Sequence, residues 1–346
     1  METVPKATVR MNSKKTGSEA GEDALIARIR RALPSRPGAQ LRTGIGDDAA
    51  VIRPARWREW AVSSDALIED VHFVAGTQPP ESVGYKALAR AISDLSAMGA
   101  RPRFFLLNLA LPRERIGRWL DECLQGMAKA ARRFGMTLAG GDTARSRTIA
   151  LNLTVLGEIA PGRAILRSGA RPGDRIFVTG ELGAAQLGLE IVLRGLAGQS
   201  RWRELLAAHN YPEPPIVLGQ WLARRGLASS MMDLSDGLST DLTRLCKASG
   251  VGARIQASRL PMVKVPRALA ERGVEALPLA LHGGEDYQLL FTVPARLAGR
   301  VPVKHDGVAI AEIGEIVRGR GIELLAKDGK SGRLAAEGWD HFGGRA

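Results

Sequence analysis

Cysteine is scarce in this 346-residue chain: Cys123 and Cys246 are the only two, far apart and without CxxC spacing. Neither a disulfide framework nor a thiolate zinc site is indicated, and a reducing, cytoplasmic setting is expected. Histidine is nearly as rare, with five residues and no HExxH pattern, which excludes that class of metalloprotease. Long apolar runs are also missing. The longest, Phe104 to Leu111, is broken by Asn108 and falls far short of the roughly 20 residues that cross a bilayer. The first twenty residues carry Lys6, Arg10, Lys14 and Lys15 without an apolar core, so residues 1–21 read as a disordered basic tail and not as a secretory signal. Met11 inside that tail marks an alternative start. A phosphate loop is absent too: Gly329-Lys330-Ser331 has the right ending, but Leu324 occupies the place of the first glycine. Aromatic residues make up 5% and do not alternate with basic ones. The formal charge of +13 therefore reads as solvated helix faces (Arg28, Arg30, Arg31; Arg132, Arg133; Arg224, Arg225), and no nucleic-acid partner is expected. Such an excess steers small polyphosphates toward the surface and is a matter of association rate.

What is present is enough apolar material, 45% of the residues, for two ordinary domains. A helix is expected from about Asp23 to Leu33, stopping at Pro34, then a polar loop to Gly44 and strands at 49–52 and 60–64. From Glu81 to Met98, Val83, Ala87, Leu88, Ala91, Ile92, Leu95 and Met98 recur at helical spacing. A buried strand (104–111), a helix (115–134), a strand into Gly140-Gly141 and an alternating strand (148–159) follow. Arg171-Pro172-Gly173-Asp174 signals a turn. Beyond it the order is strand 176–179, helices near 183–196 and 214–225, strand 230–234, helix 238–249, strand 252–257 and strand 288–293. The class is α/β or α+β, with a boundary near residue 160 dividing 22–160 from 161–346.

Aspartates recur where these elements meet loops: Gly44-Ile45-Gly46-Asp47-Asp48, Ser63-Ser64-Asp65, Asp94, Gly140-Gly141-Asp142 and Asp233-Leu234-Ser235-Asp236-Gly237. Carboxylates brought close together raise one another's pKa, and hard divalent cations keep them ionised side by side. The first segment fits a loose dinucleotide pattern, but a polar loop precedes it, β-type residues follow, and two acids stand where an anion would dock; a cation suits it better than a phosphate does. Asp94 sits at the edge of an apolar helix face, where it is either the partner of Arg90 one turn earlier or a metal ligand. Asp236 and Ser235 could open the helix as first-turn acid and cap, which leaves Asp233 unexplained. His282-Gly283-Gly284-Glu285-Asp286-Tyr287 is a second glycine pair followed by acids, suited to a substrate or a metal.

In order along the chain, GIGDDAAV (44–51), SSDALIEDVHF (63–73), YKALARAISDLSAMGA (85–100), LAGGDTARS (138–146) and MDLSDGLSTDL (232–242), supported by RSGARPGD (167–174), HGGEDY (282–287) and GWDHF (338–342), closely resemble the thiamine-monophosphate kinase family. That family belongs to the superfamily of aminoimidazole ribonucleotide and selenophosphate synthetases. The resemblance implies a two-domain synthetase-like fold: an N-terminal domain whose β-sheet forms a homodimer, and a C-terminal α/β domain over the cleft. It implies ATP and thiamine monophosphate as substrates, several magnesium ions, and direct in-line phosphoryl transfer without a general base. Implied magnesium positions are Asp48, Ser63, Ser64, Asp65, Asp94, Asp142, Asp233 and Asp236. ATP contacts are implied at Gly141, Asp142, Arg167 and Ser235, and thiamine-phosphate contacts at His72, Glu285 and Trp339. Position 64 often reads Thr in the family, so Ser64 is a departure that keeps the hydroxyl. A synthetase of the selenide-activating branch would need an N-terminal reactive cysteine, and none precedes Cys123.

Overall fold

The computed structural model describes residues 22–326 and 328–339. The tail 1–21 and Asp340, His341 and Phe342 of the last motif lie outside the described residues. Helix α1 (Glu22–Ala32) leads to a ribbon of β1 (Leu41–Thr43) and β2 (Val51–Ile52). Then come β3 (Glu59–Ile68), α2 (Pro80–Ala97), β4 (Arg101–Leu111), α3 (Arg118–Phe134), β5 (Thr137–Arg145) and β6 (Ala150–Ile159). The last four strands form one sheet in the order β3-β6-β4-β5. It is antiparallel apart from β4 and β5, and the crossover that a parallel pair needs is α3. Strand alternation sets the faces: Leu67 of β3 and Leu151, Leu153 and Val155 of β6 join the core with Ala87, Leu88 and Ile92 of α2. Val62 and Ser64 belong to the other face.

Helix α2 begins with Pro80, in the first turn where a missing N–H costs no hydrogen bond. Almost all of its length is buried, which accounts for the small residues Gly84, Ala87, Ala89, Ala91, Ser93, Ser96 and Ala97 along it. It packs on α3, β3 and β6 and also meets the second half of the chain. That half comprises β7 (Arg175–Thr179), α4 (Ala184–Leu193), α5 (Arg203–Asn210), α6 (Ile216–Arg225), β8 (Ser230–Leu234), α7 (Leu238–Ser249) and β9 (Gly252–Gln256). After a short helix Ala276–His282, it continues with β10 (Gln288–Val293), β11 (Lys304–His305), β12 (Val308–Val317), β13 (Gly321–Leu325) and β14 (Ser331–Leu334). The second sheet runs β14-β13-β9-β12-β7-β10-β8, with β11 paired to β12. The edge strand β8 and α6, with α5 and β10, are the elements of this half that lie against α2.

The mixed helix and strand class expected from the pattern is observed. Two expectations about local structure are corrected. Ser63, Ser64 and Asp65 do not end a strand, because β3 pairs with β6 without interruption from Glu59↔Ile159 to Ile68↔Ala150. Gly140-Gly141-Asp142 does not end one either: β5 runs on to Arg145 beside β4, with Leu107↔Gly141 and Asn108↔Asp142 in register. A Cβ on Gly141, whose φ is +158°, would stand 1.9 Å from the Leu107 carbonyl oxygen, so only glycine lets β5 stay that close. Strand β1 and helix α5 fall where no element was expected, since neither short segment has enough residues to establish a period.

Candidate active site

A cavity of about 1170 Å³ opens between the two halves of the chain. Strand β3 brings Asp65 to it, α2 brings Arg90 and Asp94, β8 brings Asp233, and the turn after β8 brings Ser235 and Asp236. The other wall is formed by His72, by Glu285 and Tyr287 of the loop before β10, and by Trp339 near the chain end. A single cleft thus collects carboxylates from three elements of secondary structure and an aromatic side chain from the far end of the sequence.

On the acidic wall, burial is the largest influence and pushes Asp94 above its usual range; the Ser63 hydroxyl, which donates to Asp94, works against that shift, and Asp65 adds to it. Asp233, 3% exposed, is pushed up to about 8 by burial and then by Asp94. The protein therefore holds two mutually repelling carboxylates in its interior, one from each half of the chain. A cation placed there would replace a proton as the neutralising charge, so the donor set suits a hard divalent ion. Among the described residues, however, no three carboxylate, imidazole or thiolate groups already stand as a metal cluster. Asp236 is engaged by Arg244, whose Nη1 also lies 2.9 Å from Asp241 Oδ1. The backbone N–H groups of Ser235 and Asp236 both donate to Asp241 Oδ2 at 3.0 Å. Asp241 thus fixes the turn that presents Ser235 and Asp236, and no side chain caps α7.

The opposite wall is built on a buried ion pair. Lys86 Nζ on α2 lies 2.6 Å from Glu285 Oε2, and His209 Nδ1 on α5 lies 3.5 Å from the same oxygen. Gln78 Nε2 reaches His209 Nε2 at 2.7 Å. Burial acts against the Glu285 carboxylate, but the facing charges, Lys86 first among them, outweigh it and hold its pKa below the usual value. Burial, then the charge of Lys86, lowers His209 to about 3, so the imidazole is neutral at physiological pH. Glu285 adopts φ +69° and Tyr287 φ +49°, a conformation that costs on the order of 1–3 kcal/mol at a non-glycine residue. The loop is held there by hydrogen bonds from Glu285 N to Ser235 O and from Tyr287 N to Leu234 O, each 2.8 Å. His72 Nδ1 accepts from the Ile68 N–H at 3.1 Å, which in the neutral ring leaves the proton on Nε2. Trp339 N donates to Asp236 O at 3.1 Å, and a Cβ on Gly338 would meet that same oxygen at 1.8 Å. The chain end is thereby seated on the acidic turn.

Of the residues singled out in the sequence, Asp65, Asp94, Asp233, Ser235, Asp236, His72, Glu285 and Trp339 line this cavity. Ser63 reaches it through Asp94. Arg167 is exposed and close enough to lower the pKa of both Asp94 and Asp233. Asp48, Ser64, Gly141 and Asp142 are not among its lining: Ser64 pairs with Thr154 Oγ1 at 3.0 Å on the other face of the sheet, and Asp48 and Asp142 are exposed. Two open roles become structural. Asp47 Oδ1 accepts the Asp48 N–H, and Asp286 accepts from Gly183 N at 2.6 Å and Ala185 N at 3.0 Å at the start of α4. Arg90 does not hydrogen-bond Asp94; its ion pair is with Asp65, Nε to Oδ2, at 3.6 Å. Sequence reasoning missed Lys86, His209 and Asp241. For Lys86 a signal existed: Lys86, Arg90 and Asp94 stand four apart in a helix otherwise built of apolar and small residues, a charged stripe with no reason to be there unless something meets it.

This pair of sheets with a carboxylate cleft between them is the architecture of the AIR synthase related proteins. The sequence matches that family's N-terminal domain over residues 46–159 and its C-terminal domain over residues 171–327. The thiamine-monophosphate kinase of Escherichia coli (strain K12) is 40% identical over 93% of this chain and 98% of its own length. The crystal structure of thiamine-monophosphate kinase from Stenotrophomonas maltophilia K279a superposes with a TM-score of 0.76 at 32% identity, covering 90% of this chain and 98% of that one. AaThiL complexed with AMPPCP and TMP superposes at 0.74 with 31% identity, covering 95% and 99%. The chain belongs to the thiamine-monophosphate kinase family.

Proposed function

We propose that the protein transfers the terminal phosphoryl group of ATP to the phosphate of thiamine monophosphate, giving thiamine diphosphate and ADP. The observation that carries this reading is the division of one cleft into a wall of buried, mutually repelling carboxylates and a wall with His72, Glu285 and Trp339. The acceptor is a phosphate monoester whose second pKa is roughly 6, so it arrives largely ionised and needs no general base. Three histidines line the cleft; His209, neutral and enclosed, is placed to support Glu285 and not to move a proton, and His282 is engaged by Ser239. The obstacle is repulsion between two anions. Asp65, Asp94, Asp233 and Asp236, with Ser63 behind Asp94, are the residues of this cleft that would hold magnesium, which when bound supplies the positive charge that lets donor and acceptor phosphates approach. Arg167, close to Asp94 and Asp233, and Ser235 would receive ATP. The Trp339 ring would lie on the flat rings of thiamine, and His72 and Glu285 border the same space.

We infer further that the protein is a cytoplasmic homodimer joined through the four-stranded sheet. Val62, on the face of β3 turned away from α2, is 61% exposed, an apolar surface that a second sheet would cover. No described helix is long and apolar enough to cross a membrane. The test of function is an assay of the purified chain with ATP, magnesium and thiamine monophosphate, following thiamine diphosphate by chromatography. Absence of product from well-folded protein would reject the reading, and retention of configuration at the transferred phosphorus would reject direct transfer.

A further inference from the structure

Helix α2 carries two buried cations on the face it turns to the cleft, and they are treated differently. Lys86 is spoken for, with Nζ 2.6 Å from Glu285 Oε2. Arg90, one turn on, has a side chain only 11% exposed, and both its Nε and Nη1 are sealed from solvent without any hydrogen-bond partner. Its contact with Asp65 at 3.6 Å is a charge contact too long for a hydrogen bond. A guanidinium left with unmet donors in the interior is costly unless an acceptor arrives. Arg90 lines the cavity, and Tyr287, Asp65, Glu285 and Asp236 are all near enough to act on its charge.

Resting on the reading above, we propose that Arg90 is a substrate-binding residue that grips the phosphate monoester of the acceptor and so distinguishes thiamine monophosphate from unphosphorylated thiamine. A planar fork of N–H donors matches phosphate oxygens in a way that an ammonium does not. Because arginine does not give up its proton, the residue contributes charge and direction and takes no part in proton transfer. Glu285 and Tyr287, which border the space assigned to thiamine monophosphate, are both near enough to act on the charge of Arg90, and this assigns it to the acceptor. Asp65 faces the guanidinium from β3, 3.6 Å from Nε. Arg90 therefore reads the acceptor phosphate before any metal is added.

The test measures binding by calorimetry, first in EDTA. The unaltered chain is expected to hold thiamine monophosphate at least about 10-fold more tightly than thiamine; equal affinities would overturn the proposal whatever any variant does. Arg90→Gln and Arg90→Met are expected to lose about 10- to 100-fold in affinity for thiamine monophosphate while thiamine binding stays the same, and Arg90→Lys to recover part of the loss. With ATP and magnesium, KM for thiamine monophosphate rises and KM for ATP does not. Variants that keep the preference, or that weaken both ligands equally, would reduce Arg90 to a structural residue while leaving the proposed function standing. Should both variants fail to fold, the comparison of the two ligands on the unaltered chain decides. If that chain binds neither thiamine nor thiamine monophosphate, the function itself falls and Arg90's role with it.

Discussion

Asp94 and Asp233 can be compared with Asp241 and Asp286, carboxylates of similar depth a short distance behind them. Burial is the largest influence on all of them and raises each above the usual range. The next influence separates Asp233 from the other three, Asp94 included, where the Ser63 hydroxyl works against the shift. At Asp286 the N–H groups at the start of α4 work against the shift, and at Asp241 the Asp236 N–H does so. At Asp233 the second influence is another carboxylate, Asp94, and it adds to the shift. An interior acid answered by backbone donors is part of the framework. An interior acid facing a second acid is a place where something else is expected to bind, and that contrast marks the site more sharply than depth does.

The contrast can be broken most directly at Asp94→Asn. Turnover should fall by at least ~1000-fold, as when a charge acting on the transition state is removed, while the melting temperature of the metal-free protein stays level or rises because the repulsion with Asp233 is gone. Near-normal turnover would return Asp94 to the framework group. The reverse is expected of Asp286→Ala, which leaves the Gly183 and Ala185 donors unmet and should cost about 2–3 kcal/mol of stability, read as a lower urea midpoint; an unchanged midpoint would show that water replaces the carboxylate without cost. The smallest effect concerns His209, whose folded pKa of about 3 lies below its unfolded value. The unfolded chain therefore binds the extra proton first, so stability is fully present above about pH 6.5 and drains away as the pH falls toward 3. His209→Gln should flatten that slope, removing on the order of 1–2 kcal/mol of the difference between pH 7 and pH 5. A slope unaltered by the substitution would place the acid sensitivity in another group.

Much of this was legible in the chain. The periodicity of α2, the strand-turn-helix of residues 230–249 and the ordered acid motifs located the helix, the turn and most of the cleft. What was hidden has identifiable causes. Asp65 and Asp142 were expected at strand ends because glycine and serine beside acids resemble turns, whereas long-range pairing with β6 and β4 carried both strands through. The one partner weighed for Arg90 was Asp94, as an alternative to metal binding there, because helical spacing reports only neighbours on one helix; the strand that supplies its real contact, Asp65, is set by the sheet. His209 lies in α5, eight residues long, too short to show a period, and its partners Gln78, Lys86 and Glu285 come from three other segments.

The seating of Gly338 and Trp339 on Asp236 O has a bearing on the birth of the molecule. Strand β3, with Asp65, and helix α2, with Arg90 and Asp94, are made early, but they acquire Asp233 only with β8, and Trp339 follows only after the last strand of the second sheet. A nascent chain of this protein therefore has both sheets before its pocket is lined in full. Fragments ending before residue 338 should accumulate as folded bodies that lack this part of the cleft wall.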